Sequence, residues 1–273
     1  MNGMRDIAKP IRRSPMRRRL GTAWYSLRRY ALWLRMERQF ARTRQEALPC
    51  VVYEHRTPLM RKLKDVDMWM QRNKVVNLKL AAPRVDGIVI RPGETFSYWR
   101  LIGRPSAGKG YVPGMLLRNG EVVSGTGGGL CQLSNLIFWM AAHTPLTVVE
   151  RHRHGYDVFP DSGRTQPFGS GATCFYPHGD LMLRNDTPNT YQICVTVGEK
   201  YLEGQIRCDV PATRRYEIVE RNHSIGNTWW GGYCRHNELY QQVYDAGDQL
   251  LDERLIVEND AIMMYSPLLD KSE

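Results

Sequence analysis

A thiol and a pair of imidazoles stand out as side chains that could do chemistry together. The thiol is Cys131, in the run Ser124-Gly125-Thr126-Gly127-Gly128-Gly129-Leu130-Cys131-Gln132-Leu133-Ser134. Three consecutive glycines cost conformational entropy and suit a backbone that needs positive φ or close approach to another group. The spacing of Leu130, Leu133, Ile137, Met140 and Ala141 predicts a helix from Gly129 to about His143, with Pro145 just beyond it. Cys131 then lies in the first turn, where unpaired amides and the positive end of the helix dipole stabilise an anion. An ordinary thiol, titrating near ~8.5, is only ~3% ionised at pH 7, and a two-unit drop would ionise ~75% of it. That drop requires roughly 2.7 kcal/mol, more than a surface helix dipole supplies, so a cation must stand nearby. His152 and His154 of Glu150-Arg151-His152-Arg153-His154 share one face of an extended chain and are flanked by arginines.

As chemistry, Cys131 is a nucleophile, His152 or His154 its base, and the amides of Gly127, Gly128 and Gly129 an oxyanion hole. Gln132 and Ser134 sit beside the thiol as substrate contacts. Asp161-Ser162-Gly163-Arg164-Thr165 adds Arg164 to pair a carboxylate and Asp161 to orient a histidine. The same residues have plainer readings. A small thiol beside glycines can simply pack a helix start, His-x-His can be a satisfied or metal-binding edge, and 161–165 can be a polar turn. On residue types alone these alternatives stay open.

Other patterns are weaker. Gly103 to Lys109 has the spacing of a phosphate loop, but Gly110 replaces the magnesium-binding hydroxyl residue and Pro113 stops any helix, so no nucleotide site is expected. The six cysteines contain no C-x-x-C pair, and reduced thiols are expected. Cys174 with His178 and Cys234 with His236 lack zinc-site spacing. No metal and no organic cofactor is expected. Trp229-Trp230-Gly231-Gly232-Tyr233 is loop-like, with its aromatics assigned to core packing rather than to a groove.

Around these residues the chain is α+β and β-rich, a single main domain whose central helix carries the Gly-rich/Cys motif, preceded by an N-terminal helical region. The expected divisions are a basic amphipathic helical segment over 1–48, a helical lead-in over 49–82, the α+β domain over 83–210 and a β extension over 211–273. Within the lead-in, 59–82 reads as helix ending before Pro83. Asn119-Gly120 predicts a tight hairpin between 115–118 and 121–124, and a second hairpin joins 192–197 to 202–207. Short strands are expected at 216–221, 243–244 and 254–257.

The charge is uneven. Of the +10 excess, all lies in residues 1–50, with thirteen basic and three acidic side chains, and the remainder is neutral. A neutral body argues against a nucleic-acid partner. In the N-terminal segment Leu20, Ala23, Trp24, Leu27, Ala31 and Leu34 repeat at helical spacing among arginines. Such a helix either lies on an anionic membrane surface through residues 20–42 or docks its apolar stripe on the protein's own core or on another subunit. Arginines break every apolar run that an export signal needs, so a cytoplasmic location is expected, with peripheral contact to the inner membrane face as an option.

Four motifs in order, Arg91-Pro92-Gly93-Glu94-Thr95-Phe96-Ser97, Gly110-Tyr111, Gly127 to Ser134, and Val149 to His154, resemble the VanW family from about 88 to 208. The arginine-rich start and Asp65-Val66-Asp67-Met68-Trp69 are similar to the family's short members without a signal peptide. The family takes its name from an accessory protein of vancomycin B-type resistance. The resemblance implies cell-envelope biology and, for some members, L,D-transpeptidase-like chemistry on peptidoglycan stem peptides or precursors. Cys131 would then be the nucleophile and His152 or His154 the base. Many members place an aspartate after Gly-Arg; here Thr165 follows Arg164. The alternative is a non-catalytic accessory or binding protein at the inner membrane face.

Overall fold

The computed structural model describes residues 7, 9–11, 13–61, 66–159 and 166–266. Helix α1 (Pro15–Arg35) opens at Ser14, whose Oγ accepts from the Arg17 amide, and Pro15 fits a first turn that needs no N–H. There follow β1 (Cys50–Pro58), α2 (Met68–Val85), β2 (Ile88–Ile90), β3 (Thr95–Ser97) and α3 (Tyr98–Ile102). Next come β4 (Pro113–Arg118), β5 (Glu121–Thr126), α4 (Cys131–Ala142), β6 (Thr147–Glu150), β7 (Tyr156–Asp157) and β8 (Met182–Arg184). The chain continues with β9 (Tyr191–Val197), β10 (Tyr201–Cys208), β11 (Arg215–Asn227), β12 (Tyr233–Tyr244) and β13 (Leu250–Met263). The architecture is mixed α+β and rich in strand, with the expected N-terminal helix.

The central layer is an antiparallel sheet in the order β1-β10-β9-β2. Its β9–β10 hairpin is the one predicted, with Leu202 opposite Val197. Helix α4 lies across β10 and β1, and α2 packs on β9 and β4. Nine of the twelve α4 residues are buried, including Leu133, Leu136, Ile137 and Met140, so this helix is the centre of the core. A smaller sheet, β3-β8-β6, closes one side.

The expected helical lead-in requires a correction. Residues 50–58 form a strand paired to β10 from Cys50 opposite Cys208 to Pro58 opposite Tyr201, and helix begins only at Met68. The alternation exists, with Tyr53, His55 and Thr57 partly covered and Glu54 and Arg56 exposed, but polar residues on both faces hide it. At its other end α2 passes through Pro83, which is exposed in the final turn and so costs one amide bond on the solvent side. The C-terminal strands are longer than expected: β11, β12 and β13 form a continuous antiparallel meander, with β7 parallel to β13. Trp229 to Gly232 is the turn between β11 and β12. Trp229 is 71% exposed, which overturns its assignment to the core.

Candidate functional site

The Gly-rich turn is held from three directions. The β4–β5 hairpin turns at Asn119 and Gly120, both at positive φ as a two-residue turn demands. Strand β5 then delivers Gly127 and Gly128, whose amides donate to the Val112 and Gly125 carbonyls, each at 3.0 Å. A Cβ on Gly128 would stand 2.1 Å from the Gly114 carbonyl carbon. Gly129, at φ 90, would drive one to 2.2 Å from Cγ of Lys74. Close approach and positive φ are the two needs that three glycines imply.

The partner in that approach is a polar face of α2 that sequence reasoning missed. Gln71, Lys74 and Asn77 are buried at helical spacing, while Val76 and Leu80 of the same helix are exposed. Asn77 donates to the Gly128 and Val112 carbonyls at 2.9 and 3.0 Å, and its Oδ1 accepts from the Val112 amide at 2.9 Å. Lys74 Nζ donates to Gln71 Oε1 at 2.7 Å. Burial, with a smaller contribution from Arg61, pulls the Lys74 ammonium down to about 8. From sequence this face reads as solvated. Its only signal is that the apolar residues beside it make a poor stripe.

Cys131 lies in the first turn of α4, as predicted, though as its first residue rather than its third, and is partly exposed. Its Sγ lies 3.7 Å from the Cys174 carbonyl oxygen. The expected ionised thiol is corrected: burial pushes it up from its ordinary range, with backbone hydrogen bonds at Cys174 and Cys131 acting the other way. Gln132 Nε2 donates to Thr57 Oγ1 and the Pro58 carbonyl, both at 2.9 Å, while its Oε1 is buried without a partner. The expected substrate contact at Ser134 is corrected: the residue is fully buried, its Oγ bonded to the Ala172 carbonyl at 2.6 Å. It ties α4 to the chain after the irregular stretch.

The two histidines separate in role. His152 places Nε2 2.8 Å from Glu150 Oε1, and Glu150 also accepts from Arg29 of α1 and from the Asp180 amide. The hydrogen bonds from His152, Arg29 and that amide together outweigh burial and hold the Glu150 carboxyl below its ordinary range. The His152 ring rests 5.3 Å from Phe175, and its carbonyl accepts from the Thr173 amide at 2.8 Å, one residue from Cys174. His154 makes no hydrogen bond among the described residues, and burial lowers its pKa by disfavouring the charged ring. No hydrogen bond joins Cys131 to either histidine among the described residues. Asp161 and Arg164 lie outside the described residues.

Around Glu150 a cleft of about 520 Å³ opens beneath α1, lined by Tyr25, Arg28, Arg35, His152 and His178 among others. His178 Nδ1 is buried there without a partner. As for metals, His236, Glu258 and Asp260 bring potential ligand atoms within 4.8 Å of one another on the C-terminal sheet. His236 Nδ1 is 2.8 Å from Asp260 Oδ1, a hydrogen bond that accounts for the approach of these two.

The fold and the site define a class: a β-rich α+β domain whose central helix begins at a cysteine delivered by a clamped glycine turn. The family profile described as "VanW like protein" matches residues 73–207. The chain is 36% identical over 216 residues, 79% of its length and 76% of the relative's, to the Vancomycin B-type resistance protein VanW of Enterococcus faecalis. It is also 36% identical over 109 residues, 40% of its length and 34% of the relative's, to the uncharacterized protein YoaR of Bacillus subtilis. No solved structure matches. The chain belongs to the VanW family, which is linked to vancomycin resistance. No helix among the described residues is long and apolar enough to cross a membrane.

Proposed function

We propose that this protein serves glycopeptide resistance at the cell envelope as a cysteine-dependent acyltransferase on peptidoglycan stem peptides or their precursors. The observation that carries the reading is the placement of Cys131, partly exposed at the first residue of α4, on a turn locked by Asn77 and Lys74. In the reaction His152 or His154 takes the Sγ proton and the sulfur attacks a peptide carbonyl. The C–N bond breaks, the leaving amine receives that proton, and a thioester remains on Cys131. An acceptor amine then attacks the thioester, forming the new amide and restoring the thiol. With the Gly127, Gly128, Gln132 and Leu133 amides already bonded, the developing oxyanion falls to the amides of Gly129 and Cys131, which donate to no carbonyl among the described residues.

One observation favours a second reading, a binding protein without catalysis. Burial pushes the thiol up from its ordinary range and no imidazole is bonded to it among the described residues, while a cationic cleft lies under α1. The two are separated by incubating wild type and Cys131→Ala with tetrapeptide donors and following intact mass and calorimetric binding. Acyltransfer gives an adduct on wild type alone and loss of the resistance phenotype in Cys131→Ala. Binding without catalysis gives no adduct, equal affinity and an intact phenotype.

A further inference from the structure

Helix α1 meets the body with the side opposite its apolar stripe. Trp33 and Arg29 are its buried residues, Leu32 and Met36 pack on the core, and Arg29 reaches Glu150 and the His178 carbonyl. On the other side, Met16, Leu20, Trp24, Leu27 and Leu34 recur at three-, four- and seven-residue spacing and are 64–74% exposed. The expectation that this stripe docks on the protein's own core therefore fails, and the stripe is left uncovered. Arg17, Arg28 and Arg35 border it on one side and Arg19 on the other, at 100° per residue.

We propose that this face seats the protein on an anionic lipid bilayer surface, with α1 lying in the interface and the domain hanging beneath it. Three observations select that occupant. The helix has six arginines and no acidic residue, so a second copy of the stripe would bring like charges together. Arg17, Arg18 and Arg19 crowd the helix N-terminus, where the dipole disfavours cations, and lipid phosphates relieve both repulsions. Finally, an apolar stripe rimmed by arginines, with tryptophan at its centre, is suited to lie at a headgroup boundary rather than to span it. The inference stands independently of any chemistry at Cys131.

The test is cosedimentation of the full chain with vesicles of phosphatidylcholine alone or with one third phosphatidylglycerol. Wild type should bind the anionic vesicles at least tenfold more tightly, with affinity falling as salt rises. The solvent-facing double change Trp24→Glu and Leu27→Glu should lose tenfold or more while thermal unfolding stays unchanged. Equal binding by this variant overturns the proposal. So does a wild type that stays in the supernatant, or a stripe-dependent dimer in gel filtration that anionic vesicles leave intact.

Discussion

At Cys131 two effects compete: the first-turn amides of α4 favour a thiolate, and burial opposes it. Burial wins, because among the described residues no cation is bonded to the sulfur to offset the loss of water. Alkylation of Cys131 by iodoacetamide, followed by peptide mass, should therefore rise about tenfold per pH unit from 7 to 9. A plateau near neutral pH would contradict this. Asp180 gives a second residue-scale prediction. Its fully buried carboxyl accepts from Ser97 Oγ at 2.5 Å and the Trp99 amide at 2.9 Å, yet desolvation pushes it up to about 6. Between about pH 4 and 6 the folded state holds a proton that the unfolded chain has lost. Stability falls as pH rises through that window, by on the order of 3 kcal/mol at most, and levels off above it. Asp180→Asn should lack this slope, so its thermal midpoint should gain on wild type between pH 4.5 and 7. An unchanged gap would refute the assignment.

Among the elements, the contact between α2 and the glycine turn positions the thiol. Gly129→Ala would meet both an unfavourable φ and the Lys74 stem, a flexible chain that is itself buried and has little room to move. It should cost about 2–4 kcal/mol in urea unfolding; a loss under about 0.5 kcal/mol would show the contact to be loose. Much of this arrangement was legible beforehand. Apolar spacing placed α4 within two residues, Asn119-Gly120 located the first hairpin, and the glycines announced close approach. What escaped was long-range. Strand β1 draws its stability from pairing with β10, some 150 residues away, and its two half-polar faces leave no pattern. Helix α2 buries Asn77 because the glycine turn needs its donor and acceptor, a demand invisible in α2 alone, and beside it Gln71 and Lys74 satisfy each other. For α1 the spacing found the apolar stripe but not its direction, since Trp33 and the Arg29–Glu150 pair anchor the opposite side.

Over the whole molecule, charge and shape divide the work. The body after residue 50 is neutral and carries the VanW domain, while the positive excess gathers on the N-terminal segment with α1. On the two proposals above, the core holds the cysteine in place while the helix sets where the protein sits. The reaction at Cys131 is tested most directly by rapid acid quench of wild type with a tetrapeptide donor, followed by intact and peptide mass analysis. The account predicts an acyl mass on the Cys131 peptide that vanishes when an acceptor amine is added and never forms in Cys131→Ala. Turnover of the donor by Cys131→Ala, or a Cys131 that stays unmodified while donor is consumed, would contradict it.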